Sequence, residues 1–65
     1  MQTYIGTKIV RAQSMGECEF LSVEKGQDVR NRETRQGYLV VYEDGYRSWS
    51  PKEAFERAYR LVTDA

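Results

Sequence analysis

The sequence predicts one small α+β domain spanning residues 1–65. Its sheet is expected to have three strands, an N-terminal strand plus a C-terminal hairpin, with a short helix after the first strand and a C-terminal helix packed on one face. Three observations lead to this prediction. β-branched and aromatic residues cluster near both ends of the chain, Asp44-Gly45 is a hairpin turn signal, and Ser-Pro-Lys-Glu at 50–53 is typical of a helix start.

Residues 3–12 are interpreted as the first strand because they contain two pairs of apolar residues suited to a pleated sheet. Gly6 interrupts them and is expected to mark a bulge or a close backbone approach. A Ser-x-x-Glu pattern from Ser14 to Glu17 then predicts the start of a short helix, with Gly16 in its first turn. Its apolar side would consist of Met15, Cys18, Phe20, Leu21 and Val23.

Residues 24–36 contain a single valine among polar residues and are predicted to be a mobile loop. Long loops in compact domains are often functional, and guanidinium groups bind phosphates and carboxylates through paired hydrogen bonds. The alternative is an ordinary solvated loop, since two acidic residues of the same segment offset its positive charge. The loop contributes three candidate binding residues: Arg30, Arg32 and Arg35.

The turn at residues 43–45 allows two hairpin registers. A two-residue turn would place Val40 opposite Trp49, whereas a type I turn followed by a bulge at Gly45 would place Leu39 opposite Trp49. We expect the bulged register, because glycine adopts positive φ without a Cβ penalty.

The bulged register also pairs Tyr42 with Tyr46 across the hairpin, an aromatic cross-strand contact. The hairpin region holds four aromatic residues in all. Trp49 is expected in the core, whereas Tyr42 and Tyr46, with Arg47 beside them, are the predicted binding residues of this corner. A sheet covered on one side by one helix would leave a second face exposed, and that face is expected to carry tyrosines and to need a partner.

The C-terminal helix is predicted to begin with Ser50 as N-cap, Pro51 in the first helical position and Glu53 completing a capping box. Trp49 would pack back against Ala54 as a hydrophobic staple. Apolar residues continue at helical spacing at Phe55, Ala58, Tyr59 and Val62.

Composition excludes several kinds of site. One cysteine and no histidine rule out an internal disulfide and a Cys/His zinc site, so no metal or cofactor is expected. Cys18 is expected to be a buried thiol, with an intermolecular disulfide as the alternative. No nucleophile–base pair and no phosphate-binding glycine loop is present, so the chain is not expected to be an enzyme. Ten basic residues balance ten acidic ones, and no signal peptide or apolar stretch of membrane-spanning length is visible, which predicts a soluble cytoplasmic protein without membrane contact.

The chain contains the stretches YIGTKI at 4–9, GYLV at 37–40, DGY at 44–46, SWSPK at 48–52, FE at 55–56 and AYR at 58–60. Together with Ala12, Met15 and Tyr42, this pattern resembles a family of small uncharacterised proteins encoded by tailed bacteriophages. Members often carry proline where this chain has Glu43, and a more aromatic segment in place of residues 24–36. The resemblance implies a non-structural phage protein of the host cytoplasm and brings no catalytic residues.

The leading hypothesis is a non-catalytic phage accessory protein that binds a host protein, either to block a host defence or to redirect a host enzyme. An exposed aromatic surface rimmed by charge is typical of interface hot spots. The alternatives are a homo-oligomer that sequesters a small ligand or nucleotide between subunits, and a nucleic-acid-binding module. Under each hypothesis, self-association is one way in which so small a core could gain stability.

Overall fold

The computed structural model describes residues 1–30 and 32–62, in which five strands and two helices form an α+β domain. The elements are β1 (Gln2–Ile5), β2 (Ile9–Ser14), α1 (Glu17–Lys25), β3 (Gly37–Val41), β4 (Arg47–Pro51), α2 (Lys52–Ala58) and β5 (Arg60–Leu61). The strands form one antiparallel sheet in the order β4-β3-β2-β1-β5. The predicted three-stranded sheet is therefore wrong, although the α+β class is correct.

One extra strand arises because residues 3–12 form a hairpin instead of a single strand. Ile5 pairs with Ile9, and the Gly6 N–H donates to the Lys8 carbonyl at 2.9 Å to close the turn. A three-residue connection that contains glycine suffices to reverse an antiparallel pair. Gly6 is thus the first residue of a turn and not a bulge. The alternative expectation of a close backbone approach is confirmed, because a Cβ at Gly6 would lie 2.6 Å from the Ala58 carbonyl oxygen.

The other extra strand lies after α2. The helix ends at Ala58, and Tyr59 is extended with φ −129° and ψ 149°. Leu61 then pairs with Tyr4 on β1, which gives the outer backbone groups of that strand hydrogen-bond partners. Helical spacing continues in the sequence to Val62, but pairing with an available sheet edge determines the conformation of these residues.

Neither predicted capping box is present. In α2, Pro51 occupies the N-cap position with extended φ and ψ, no side chain caps the helix, and Ser50 belongs to β4. In α1, Gly16 is the N-cap and Ser14 lies in β2. In both cases the serine side chain is held in a strand and does not reach the helix.

The β3–β4 hairpin has the predicted bulged register. Leu39 lies opposite Trp49, and Gly45 has φ 88°. Tyr42 accepts the Gly45 N–H and donates its own N–H to the Tyr46 carbonyl, both at 2.9 Å. A type I turn followed by a left-handed glycine explains both hydrogen bonds.

The face of the sheet covered by α2 carries the tyrosines. Phe55 of α2 is 1% exposed and stacks on Tyr38 and Tyr59, with ring centroids at 4.4 and 4.9 Å, and makes an edge contact with Tyr4 at 4.8 Å. The expectation that tyrosines lie on an uncovered face is therefore wrong. They surround a buried cluster of Val10, Ala12, Val40 and Phe55.

The opposite face is covered in part by α1. Met15, Phe20 and Leu39 form its buried cluster, and half-buried Trp49 packs against them. The predicted staple of Trp49 against Ala54 is wrong, because register places the indole on the face opposite α2.

The predicted loop of residues 24–36 begins inside α1, which extends to Lys25, and its Asn31 lies outside the described residues. Residues near its end run beside the start of α1. The Glu17 N–H donates to the Arg35 carbonyl at 2.8 Å, and the Cys18 N–H donates to Thr34 Oγ1 at 3.2 Å. These bonds satisfy helix N–H groups that no side chain of an N-cap reaches. The mobility of the loop stays a prediction.

Candidate functional site

An open groove lies at one end of the sheet, between the β1–β2 turn and the β3–β4 turn. Its volume is about 780 Å³. We call it the turn groove, and it is lined by Thr7, Lys8, Ile9, Tyr42, Glu43, Asp44 and Tyr46. The groove thus contains both tyrosines that the sequence singled out for binding.

The two tyrosines form a pair with unequal exposure. Their ring centroids are 5.9 Å apart with planes inclined by 32°. Tyr42 is half-buried and packs against the cluster around Phe55, whereas Tyr46 is 61% exposed. Asp44 Oδ1 accepts the Tyr46 N–H at 3.0 Å, so the backbone that carries the exposed ring is held by the turn. The result is a large amphipathic ring presented to solvent on an ordered support.

The hydroxyl of Tyr42 lies among groups that alter its ionisation. Burial is the largest cause of its raised pKa, and the neighbouring Tyr59 adds to the effect. The Lys8 ammonium group acts in the opposite direction, which places a positive charge close to this hydroxyl. The net effect favours the neutral hydroxyl of Tyr42 over its ionised form.

The charges around the groove are of both signs. Lys8 stands on the side of the β1–β2 turn, and Glu43 and Asp44 stand on the side of the β3–β4 turn. None of the three forms a salt bridge with another residue in the ranges 1–30 and 32–62. The groove therefore combines an aromatic centre with charges of both signs at its rim.

The predicted arginines lie away from the groove, and three of them are neutralised by carboxylates. Their salt bridges have N–O distances of 2.8 Å for Arg30–Asp28, 3.0 Å for Arg35–Glu17 and 2.7 Å for Arg47–Glu24. None of these arginines is among the described residues that line the groove. The structure therefore brings Tyr42 and Tyr46 together and does not bring the arginines to them.

Arg35 and Arg47 each connect separate elements of the fold. Arg35 also lies over the ring of Trp49, 5.3 Å from its centroid, and its hydrogen bonds are the largest cause of the lowered pKa of Glu17. Arg47 binds Glu24 and so ties β4 to the end of α1. Arg32 is exposed, and its carbonyl accepts the half-buried Cys18 thiol at 3.7 Å.

Sequence reasoning missed Lys8 and Thr7 as groove residues, because it placed them inside a strand. A signal was present: Gly6-Thr7-Lys8 stands between two apolar pairs, as a short hairpin connection would. Interpreting that stretch as a turn would have put Lys8 at the same end of the sheet as the Asp44-Gly45 turn.

Residues 1–30 and 32–62 contain no group of three or more side chains arranged to hold a metal ion. No helix within those ranges is both long and apolar enough to cross a membrane.

Comparison with protein-family models, curated proteins and solved structures gives no match to this chain.

Proposed function

We propose that this chain is a non-catalytic accessory protein of a tailed bacteriophage, acting in the host cytoplasm, and that its turn groove binds a host protein. The resemblance of the sequence to small phage proteins supports the origin. The observation that supports binding is the exposure of Tyr46 on an ordered turn beside a half-buried Tyr42. Tyrosine is enriched among residues that dominate the affinity of protein interfaces, because its ring buries a large area with little loss of conformational entropy.

A protein ligand fits the groove better than a nucleotide does. Two carboxylates, Glu43 and Asp44, stand at the groove and would repel a phosphate group, whereas only Lys8 would attract it. Three of the four arginines predicted to bind a phosphate form salt bridges with carboxylates elsewhere. A partner with both an apolar anchor for the Tyr46 ring and charged groups of both signs at its edge matches the groove. Blocking a host defence or redirecting a host enzyme are the two consequences we propose for such binding.

Affinity capture from lysate of the bacterial host tests the proposal. The tagged wild-type chain is compared with Tyr46→Ala, which removes the exposed ring and leaves the half-buried Tyr42 in place. Glu53→Ala is the matched control, because Glu53 is exposed in the first turn of α2, beyond the end of β4 that lies away from the groove. A partner retained by wild type and by the control, and lost with Tyr46→Ala, is the expected result.

The purified partner then allows titration. We expect Tyr46→Ala to raise Kd by about 10- to 30-fold, as truncation of an interface hot spot does. Equal affinity of the wild type and Tyr46→Ala for every captured protein would refute the proposal. The ligand-binding alternative would instead be favoured by a nucleotide that raises the melting temperature of the wild type but does not raise that of Lys8→Ala.

A further inference from the structure

The face of the sheet that carries α1 is covered over only part of its width. The helix packs through Phe20 and Leu21 on the strands that carry Leu39 and Trp49, which are β3 and β4. Its Glu24 also binds Arg47 on β4. Strands β2, β1 and β5 continue the same face without a helix above them.

Register shows which side chains belong to this uncovered region. Directly opposed residues of an antiparallel pair share a face, so Val41, Arg11 and Thr3 form one row, and Ile9, Ile5 and Arg60 form the next. Val62 stands beside Thr3, because its N–H donates to the Thr3 carbonyl at 2.9 Å. We define the open half-face as Thr3, Ile5, Ile9, Arg11, Arg60 and Val62.

The open half-face is apolar at its centre and carries two arginines at its margins, with Glu43 of the β3–β4 turn near Ile9 and Arg11 at one end. Ile5, Ile9 and Val62 are 45%, 49% and 49% exposed. Arg11 and Arg60 are exposed and form no salt bridge with another residue of the described ranges. Its complement is therefore a surface with an apolar ridge and negative charge.

The dimensions of the sheet leave room for one more helix. Five strands spaced about 4.8 Å apart span about 19 Å, and a helix with its side chains is about 10 Å wide. One helix covers about half of such a sheet, and α1 lies over the β3–β4 half. A second helix beside it would cover the open half-face.

The outer side of α1 itself has the required chemistry. Val23 is 67% exposed, which is the largest exposure among the large apolar side chains of the described residues. Glu19 is exposed four residues earlier, so the two side chains lie on the same side of the helix. Val23 complements Ile5 and Ile9, and Glu19 complements the two arginines of the open half-face.

We propose that the open half-face binds α1 of a second copy of this chain, in a reciprocal dimer. Both partners of the contact lie on the same side of one sheet, so a single two-fold axis makes the contact twice and closes the assembly. The dimer would be two sheets with the two α1 helices side by side between them. Burial of Val23, Ile5, Ile9 and Val62 would add apolar contacts to a core that is small for independent stability.

Nucleic acid fits this surface poorly. The open half-face has no aromatic side chain on which a base could stack, and its apolar centre is aliphatic. Its two arginines flank that centre instead of forming a continuous basic track. A helix with an acidic residue one turn away from an apolar residue complements both the aliphatic centre and the flanking arginines.

Light scattering on a size-exclusion column, with the full chain at about 10 to 300 μM, measures the association. The wild type is expected at twice the mass of the chain. Val23→Glu, which places a charge in the apolar contact, is expected to raise the dimer Kd at least about 30-fold, as a disrupted hot spot does. Far-UV circular dichroism confirms that the helix persists, since Val23 is a surface residue of α1.

Charge reversal tests the pairing itself. Glu19→Arg is expected to raise the dimer Kd about tenfold, and adding Arg11→Glu and Arg60→Glu to the same chain is expected to restore most of the lost affinity. Glu53→Arg, on the opposite side of the sheet, is the control and should leave the mass unchanged. Tyr46→Ala should also leave the mass unchanged, which separates this inference from the groove proposal.

Two results would overturn the dimer. One is a wild-type chain that stays monomeric at the highest concentration. The other is a dimer whose Kd changes with neither Val23→Glu nor Glu19→Arg, because such a dimer would use another surface. Loss of affinity in Glu19→Arg without recovery in the triple variant would count against the proposed charge pairing and the geometry built on it.

Discussion

The indole N–H of Trp49 donates a hydrogen bond to the main-chain carbonyl of Met15 at 2.8 Å. Met15 connects β2 to α1, and Trp49 lies on β4 at the edge of the sheet. The bond therefore links the entry to the helix with the last strand of the hairpin. It also explains how a half-buried indole keeps its polar group satisfied while the ring packs against Leu39 and Phe20.

Trp49→Phe should destabilise the protein by about 1–3 kcal/mol, because the Met15 carbonyl loses its indole partner and the core loses part of a ring. The free energy of unfolding is measured in urea by circular dichroism, since Trp49 is the one tryptophan of the chain and fluorescence would be lost. Tyr46→Phe removes an exposed hydroxyl and serves as the control, with a change within about 0.5 kcal/mol. Equal stability of Trp49→Phe and the control would show that the bond contributes nothing.

Two glycines should respond to alanine for different reasons. At Gly37, a Cβ would collide with the Ser50 carbonyl oxygen and the Trp49 ring, so Gly37→Ala forces two strands apart and should cost about 3 kcal/mol or more. At Gly45 a Cβ meets nothing within 4 Å, and only the positive φ is strained, so Gly45→Ala should cost about 1–2 kcal/mol. Urea unfolding of both variants measures the two losses in unfolding free energy. A larger loss for Gly45→Ala than for Gly37→Ala would contradict the prediction.

Alkaline pH should destabilise the fold through Tyr38. Its hydroxyl donates to Glu56 at 2.7 Å, and this hydrogen bond, followed by burial, raises the pKa of Tyr38 to about 12. The unfolded chain loses that proton near pH 10. The stabilisation that protonated Tyr38 contributes to the fold is therefore complete below about pH 10 and is lost as pH rises towards 12. Tyr38→Phe, compared with the wild type in melting temperature from pH 8 to 12, should show a shallower decline. Parallel curves for the two proteins would contradict the assignment to Tyr38.

Acid should destabilise the fold through Glu17. Arg35 donates to both carboxylate oxygens of Glu17, at 3.2 and 3.0 Å, and these hydrogen bonds lower the pKa of Glu17. Because the pKa is lower in the folded state, ionised Glu17 stabilises the fold above the pKa of the unfolded chain. This stabilisation is lost as pH falls through the pKa of the folded state. The difference in melting temperature between wild type and Glu17→Gln should therefore be largest near neutral pH and shrink as the pH falls below the ordinary pKa of glutamate.

Asp28→Asn is the matched control for that experiment. Arg30 also lowers the pKa of Asp28, but this pair joins residues two positions apart and its side chains are 87% and 63% exposed. Such a pair forms locally in an unfolded chain and is screened by solvent, so its loss should change the melting temperature little. A larger acid-dependent effect for Asp28→Asn than for Glu17→Gln would contradict the role of the long-range pair.

The hairpin register was predictable because its determinants are local. Asp44-Gly45 sets the turn, and glycine at positive φ selects the bulge, so Leu39 meets Trp49 as expected. Both tyrosines of the groove were predictable for the same reason, since Tyr42 and Tyr46 are paired by that turn. Lys8 was not predictable on the same basis, because its position depends on interpreting a weaker turn at Gly6.

The sequence by itself determined the α+β class, the hairpin and its register, and the Tyr42–Tyr46 pair, because each depends on residues close together in the chain. Only the tertiary structure decided that residues after Ala58 leave the helix to pair with β1, that Trp49 faces α1, and that Arg35 and Arg47 bind glutamates. These outcomes depend on which backbone edges, surfaces and charges are brought together by folding. Hydrogen-bond satisfaction and burial across the sheet override local propensity there, and that explains why two of five strands and the open half-face were not foreseen.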